Sequence, residues 1–237
     1  SADVDFRVES NDNTHGIFLD AGAGLVGIGN SNPDGHYNLA DDLVIGNGSG
    51  GRGLTIYSGN DSSGYIGFND AEQDSMTAYI QYGHNDNTMT LASSAGASLK
   101  IDSSGRVTKP LQPSFMQKEQ PVVSAGNIVK GGVNDHNIGS HLNTTTGVFT
   151  APVAGRYHFT AGILTNASNA RMEIFVRKNG SNYIAGNEVT GSGSSYGSPT
   201  IAVTINLAAS DTADLYLSSG TMYDGHPSNY FSGFLVS

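Results

Sequence analysis

The 237-residue chain has no cysteine, which excludes disulfides and thiolate metal sites. It also has no tryptophan, only 14% charged residues and only 37% apolar residues. A single copy is therefore poor in core material as well as in surface charge. No apolar stretch approaches the roughly 18 residues of a membrane-spanning helix. No secretory leader is recognisable at the start, which reads SADVDFRVES without Met and already in strand-like alternation. On that reading the chain begins inside a longer protein. The formal charge of −10 is lopsided: residues 1–110 carry 14 acids against 5 bases, residues 111–237 only 7 against 6. Nucleic-acid binding needs a cationic footprint, and neither half supplies one.

What the chain does have is 32 glycines, 11 tyrosines and 9 phenylalanines, with many Val, Ile, Thr, Ser and Asn. Disordered chains usually carry many charges and few aromatic or β-branched residues, so this composition points to folded β-structure. Helical periodicity is hard to find. Alternating runs bounded by Gly, Asn and Asp dominate, as in TAYIQYG (Thr77–Gly83) and YHFTAGI (Tyr157–Ile163). TKPLQP, Thr108 to Pro113, marks the expected boundary between a first domain over 1–110 and a second over 111–237, with two prolines and a change of charge balance.

The first half repeats itself loosely. SNDNTHGIFLDAGAGLVGIG (Ser10–Gly29) and HNDNTMTLASSAGASLKIDSSG (His84–Gly105) each run Asn-Asp-Asn-Thr, a short apolar strand, a glycine turn and another strand. Strands this short make marginal sheets alone. Three chains sharing an axis could bury their thin apolar faces together, so residues 1–110 are read as a fibrous β-stalk. Collagen is excluded, because glycine does not recur at every third position. The phrases DFRVESNDNTHGIFLDAGAGLVGIGNSNP, LVIGNGSGGRGLTIYSGNDSSGYIGF and HNDNTMTLASSAGASLKIDSSGRV resemble the repetitive shaft of bacteriophage tail fibres, those of marine phages especially.

In the second half, NTTTGVFTAPVAGRYHFTAGI places Phe149, Gly155, Tyr157 and Phe159 at F-x5-G-x-Y-x-F. This resembles the signature of the globular heads of complement subcomponent q, the tumour-necrosis-factor-like trimeric jelly rolls. Asn137 and Leu142 match its upstream positions, whereas Gly131 stands where the family has Phe and Ala161 where it has an aromatic. The resemblance covers about residues 114–237. It implies a sandwich of some ten strands closed by the C-terminal strand, so the apolar ending FSGFLVS becomes a central strand, packed against two neighbouring copies. The expected fold is all-β: a trimeric fibrous stalk followed by a jelly-roll β-sandwich head.

Several motifs offer chemistry. GNGSGGRG (Gly46–Gly53) contains G-x-G-x-x-G, but LTIYSG follows, which reads as a strand where a dinucleotide loop needs a helix. NSNPDGHYNLAD imitates a calcium loop at Asn30, Asn32, Asp34, Gly35 and Asp41, yet two ligand positions are neutral and flanking helices are missing. Calcium is thus the one cofactor left open, and no residue is assigned to a metal. His136 and His141 have no obvious third ligand, and His158 should point away from Tyr157 and Phe159. GSGSS (Gly191–Ser195) does not satisfy the nucleophile elbow G-x-S-x-G, and the head has few paired acids. No catalytic residue is expected.

Binding has a better address. If the last strand ends beside the stalk, counting strand directions backwards gathers three loops at the far tip: TNASN (Thr165–Asn169), TGSGSSYG (Thr190–Gly197) and SGTMYDGHPSN (Ser219–Asn229). Their candidate contact residues are Asn166, Asn169, Tyr196, Tyr223, Asp224, His226 and Asn229. Aromatic faces beside amide and carboxylate hydrogen-bonders suit a sugar. The resulting expectation is the distal part of a phage tail fibre in the extracellular virion tail. It would be a homotrimer that adsorbs to a host surface glycan or outer-membrane component and joins other tail proteins through a preceding region. A secreted adhesin with the same head, a purely structural fibre segment and a depolymerase remain alternatives.

Overall fold

Most of the alternating runs become strands. The computed structural model describes residues 6–11, 13–72, 75–165, 171–189 and 196–237, and among them are twenty strands, one 3-10 turn and no α-helix. The chain divides into two compact units, with the division between Ser58 and Gly59. The boundary expected near residue 110 falls inside the second unit, where it separates a sheet from a sandwich.

In the first unit, β1 (Phe6–Ser10), β2 (Asn13–Asp20), β3 (Leu25–Ile28) and β4 (Leu43–Ile45) form one sheet in chain order, the last pair parallel. The β2–β3 turn closes through the Gly24 amide on the Asp20 carbonyl at 2.7 Å, with Gly24 at φ +76°. Register aligns Phe6, Leu19, Val26 and Leu43 in one row and Val8, Ile17, Ile28 and Ile45 in the next. Both rows lie on the same face, and it is apolar throughout. The opposite face buries Phe18, Leu25 and Val44. LTIYSG, read above as a strand, takes no strand pairing, and Tyr57 within it is 97% exposed. Its alternation is genuine, but a strand needs a neighbour for its backbone groups as well as a pattern.

The second unit opens with an antiparallel meander: β5 (Ser63–Phe68), β6 (Ala78–Gly83), β7 (Thr88–Ser93), β8 (Gly96–Ile101) and β9 (Val107–Thr108). The sequence repeat is thereby explained, since its first copy is the β2–β3 hairpin and its second the β7–β8 hairpin.

The rest of this unit is a two-sheet sandwich. One sheet takes β10 (Ser114–Lys118), β12 (Val133–Ile138), β15 (Gly155–Gly162), β18 (Thr200–Leu207) and β20 (Tyr230–Leu235) in the order β12-β10-β20-β15-β18. The other takes β13 (Leu142–Asn143), β14 (Val148–Thr150), β19 (Thr212–Ser219), β16 (Arg171–Lys178) and β17 (Ser181–Val189), with β11 (Asn127–Ile128) also paired to β19. The apolar C-terminal run is thus a central strand, hydrogen-bonded to β10 on one side and β15 on the other.

Alternation in each sheet aims one set of side chains at the other sheet. Phe115, Tyr157, Phe159 and Phe231 from the first meet Phe149, Met172, Ile174, Leu215 and Leu217 from the second. The Phe115 ring lies 5.0 Å from Phe231 and 5.2 Å from Phe149, so the core is built around aromatic pairs. This packing explains the glycine in FSGF: a Cβ on Gly233 would come within 2.5 Å of the Phe159 ring. Both departures from the complement-q signature have a structural setting. Gly131 has φ +80°, a conformation unfavourable for a phenylalanine. Ala161 is fully buried directly across from Phe231, itself one of the buried aromatic side chains of the core.

Candidate functional site

The direction of β20 fixes which loops share an end of the sandwich. The Leu235 amide donates to the Pro113 carbonyl at 3.0 Å, so β20 finishes where β10 begins. At its other end Tyr230 pairs with Lys118 and Gly162. Residues following β10 and β15, and those leading into β20, therefore lie at the end remote from Pro113.

There the described stems of the three expected loops are joined. The Thr165 amide donates to the Gly197 carbonyl at 2.8 Å, and Thr165 also bridges Met222 on its other side. Its Oγ1 donates to the Thr221 carbonyl at 3.0 Å, and the Tyr223 amide donates to the Leu164 carbonyl at 2.7 Å. A residue of the first loop is thus sandwiched between the second and the third. Asn166 and Asn169 lie outside the described residues, as does the Thr190–Ser195 segment.

The ring-bearing residues come together on this platform. The Tyr196 and Tyr223 centroids are 6.1 Å apart, and Tyr223 meets His226 edge-on at 5.5 Å. Tyr196 is 58% exposed and Tyr223 39%, so this small aromatic surface faces solvent. Asp224 is exposed, and its Oδ1 accepts the Val122 amide at 2.8 Å. The His226 Nδ1 accepts the Ser228 amide at 3.1 Å, which orients the ring.

Asn229 requires a correction. It was expected to touch a ligand, but it is fully buried and works as a scaffold. Its Oδ1 accepts the Leu164 amide at 2.8 Å, and its Nδ2 donates to the carbonyls of Tyr223 at 2.6 Å and Gln120 at 3.2 Å. One side chain therefore ties together the ends of three segments. Asn229→Ala leaves these backbone groups without it and should cost about 2–4 kcal/mol. Urea unfolding at fixed protein concentration measures that loss, and tyrosine fluorescence anisotropy should show Tyr223 loosened.

Sequence reasoning missed the segment after β10. Gln120 is buried, and its carbonyl also accepts the Gly225 amide at 3.2 Å. Val122 through Ala125, with Gly220 and Thr221, line a groove of about 330 Å³. Hydrogen bonds spanning about a hundred residues bring this segment to the tip, and no local motif announces them. Two buried polar atoms at this end, Gln120 Oε1 and Ser219 Oγ, have no hydrogen-bond partner.

The other motifs resolve into structural parts. Gly46, Gly48 and Gly50 of the G-x-G-x-x-G run all have positive φ, and the following residues form neither helix nor strand. In the calcium-like loop, Asn30 is buried; its Oδ1 accepts the Asn32 amide and its Nδ2 donates to the Gly46 carbonyl, both at 2.7 Å. That side chain closes the loop. His136 Nδ1 is 3.5 Å from Asp135, and His158, on the outer sheet face as expected, pairs with Thr204 Oγ1 at 3.1 Å. Among the described residues no three His, Cys, Asp or Glu side chains are grouped to hold a metal. GSGSS lies outside the described residues.

The geometry defines a class: a β-sandwich with the stems of three loops gathered at one end. Residues 115–236 match the C1q domain family, and the chain belongs to that family, whose domains are non-enzymatic binding modules that typically form homotrimers. Among solved structures, the globular domain of zebrafish complement 1qA is 18% identical, with a TM-score of 0.43, over 53% of this chain and 98% of that one. Murine APRIL at pH 5.0 is 15% identical, TM-score 0.42, over 53% and 99%; the Eiger TNF of S. frugiperda is 13% identical, TM-score 0.42, over 54% and 92%. No curated protein matches the chain.

Proposed function

We propose that this chain is the distal, receptor-binding part of a phage tail fibre: a homotrimer whose sandwich tips adsorb the virion to a glycan on the bacterial surface. The observation that carries the reading is the Tyr196–Tyr223–His226 cluster, its two tyrosines exposed and its histidine half-buried, held on stems that Thr165 and Asn229 lock together. Flat aromatic faces stack on the apolar faces of sugar rings, and neighbouring amide, imidazole and carboxylate groups meet the hydroxyls. Membership in a family of binding modules favours recognition over catalysis. The phage assignment draws on the shaft-like phrases of the first hundred residues, and with it goes a place in the virion tail. Three copies on one axis would present three such surfaces facing the same way. Weak single sites then gain avidity, because later contacts are intramolecular.

The test is competition. The purified chain should block adsorption of the phage to its host, and Tyr223→Ala together with His226→Ala should weaken that block by about tenfold or more. Val153→Ser, at the opposite end of the sandwich, should leave it unchanged. If the tip variants block as well as the unmodified chain, recognition lies elsewhere on the fibre.

A further inference from the structure

The β5–β9 sheet has two faces of opposite chemistry. Register aligns Ile66, Ile80, Leu91 and Leu99 in one row, and Tyr82, Met89, Ile101 and Val107 in the next, on the same face. Phe68 and Ala78 extend it. No charged or amide side chain interrupts these rows. The reverse face carries Tyr65, Gln81, Thr90, Lys100 and Thr108 in its central row. An amphipathic sheet normally turns its apolar face to a core. Here that face has no cover among the described residues of the chain's second unit: its seven most open large side chains, from Ile80 to Val107, are 37% to 58% exposed. Scattered apolar residues on a surface are ordinary, but a continuous two-row patch is not.

We infer that this face packs against the same face of other copies of the chain, so that contact between copies extends from the sandwich into the β5–β9 sheet. The inference rests on the homotrimeric reading of the head, and size explains why. Four inter-strand spacings by about six residues give a patch of roughly 400 Å². That is about half of what one partner contributes to a standard stable interface, around 800 Å². Freely diffusing sheets would associate weakly. Only residues 109–113 separate β9 from β10, a reach of at most about 18 Å, so a head trimer would hold three copies of the face at high local concentration. Self-pairing also meets the chemistry: the partner must be apolar and lack charge across the whole patch, and the face itself is both. The lone lysine of these strands, Lys100, projects from the reverse side.

The absence of cysteine makes the test direct. Leu91→Cys places one thiol at the centre of the apolar face, Val107→Cys places a second probe at its most open edge, and Lys100→Cys marks the reverse face. Each variant and the unmodified chain are sedimented at micromolar concentration, treated with a short bismaleimide and separated on a denaturing gel. All four should sediment as trimers. Leu91→Cys and Val107→Cys should yield covalent dimers taking up to two chains of every three, and Lys100→Cys at least about tenfold less. Trimers in which the apolar-face probes cross-link no better than Lys100→Cys overturn the inference while leaving the head trimer intact. An unmodified chain that sediments as a monomer overturns both, since no second copy then covers the face. If Leu91→Cys alone fails to assemble, Val107→Cys, on an exposed edge strand, decides the matter by the same criterion.

Discussion

Phe231→Ala should lower the unfolding free energy by about 3–5 kcal/mol, the usual cost of deleting a fully enclosed phenyl ring. The ring is 1% exposed and meets Phe115 at 5.0 Å and Phe159 at 5.8 Å. Ala161 is its cross-strand neighbour, so the cavity left behind would be bordered by two rings and a side chain too small to fill it. The position matters for recognition as well as stability, because Phe231 is two residues past Asn229, at the start of the strand that anchors the longest tip loop. Thermal melts followed by near-ultraviolet circular dichroism would report the loss. Because the stability of any oligomer depends on concentration, variant and parent must be compared at equal chain concentration. The informative control is Ala161→Phe combined with Phe231→Ala. If the two positions share one volume, the double variant should recover part of the deficit; if it does not, shape at 231 matters more than filled space.

The same residue shows how far the sequence could be read. The C-terminal strand was legible because FSGFLVS is an apolar ending, and because the F-x5-G-x-Y-x-F spacing resembles the complement-q heads, whose sandwich closes with its last strand. The Ser181–Val189 strand was not legible, since its buried position is a glycine, Gly186, and most of its described side chains face outward. LTIYSG was misread for the converse reason: local alternation was present, but no partner strand was. At the tip, the gathering of the three loop stems followed from counting strand directions back from a last strand taken to end beside the stalk, and the rings of Tyr196 and His226 each meet Tyr223. The role of Asn229 did not follow, because an amide that will bind backbone groups looks the same in sequence as one that will bind a ligand. The contribution of Gln120 and Val122 was invisible, since it depends on contacts to residues about a hundred positions away.

Asp214→Ala should be nearly as damaging, at about 3 kcal/mol, through electrostatics in place of packing. Arg177 and Asp214 face each other across β16 and β19 in a two-pronged pair, Nε to Oδ1 at 2.7 Å and Nη2 to Oδ2 at 3.1 Å. Their side chains are only 15% and 4% exposed, so water does little to screen either charge. Removing the carboxylate strands the guanidinium in that setting, over the Tyr216 ring at 4.1 Å. Asp214→Asn should lose less than Asp214→Ala, because an amide oxygen still accepts one guanidinium hydrogen. Arg177→Met with Asp214→Ala should lose well under the sum of the two single losses, since neither charge is then left buried alone. Urea unfolding of the four proteins at one concentration gives the coupling directly. A double variant no better than additive would mean that the two side chains stabilise the sheet separately, and that the short distances between them contribute little.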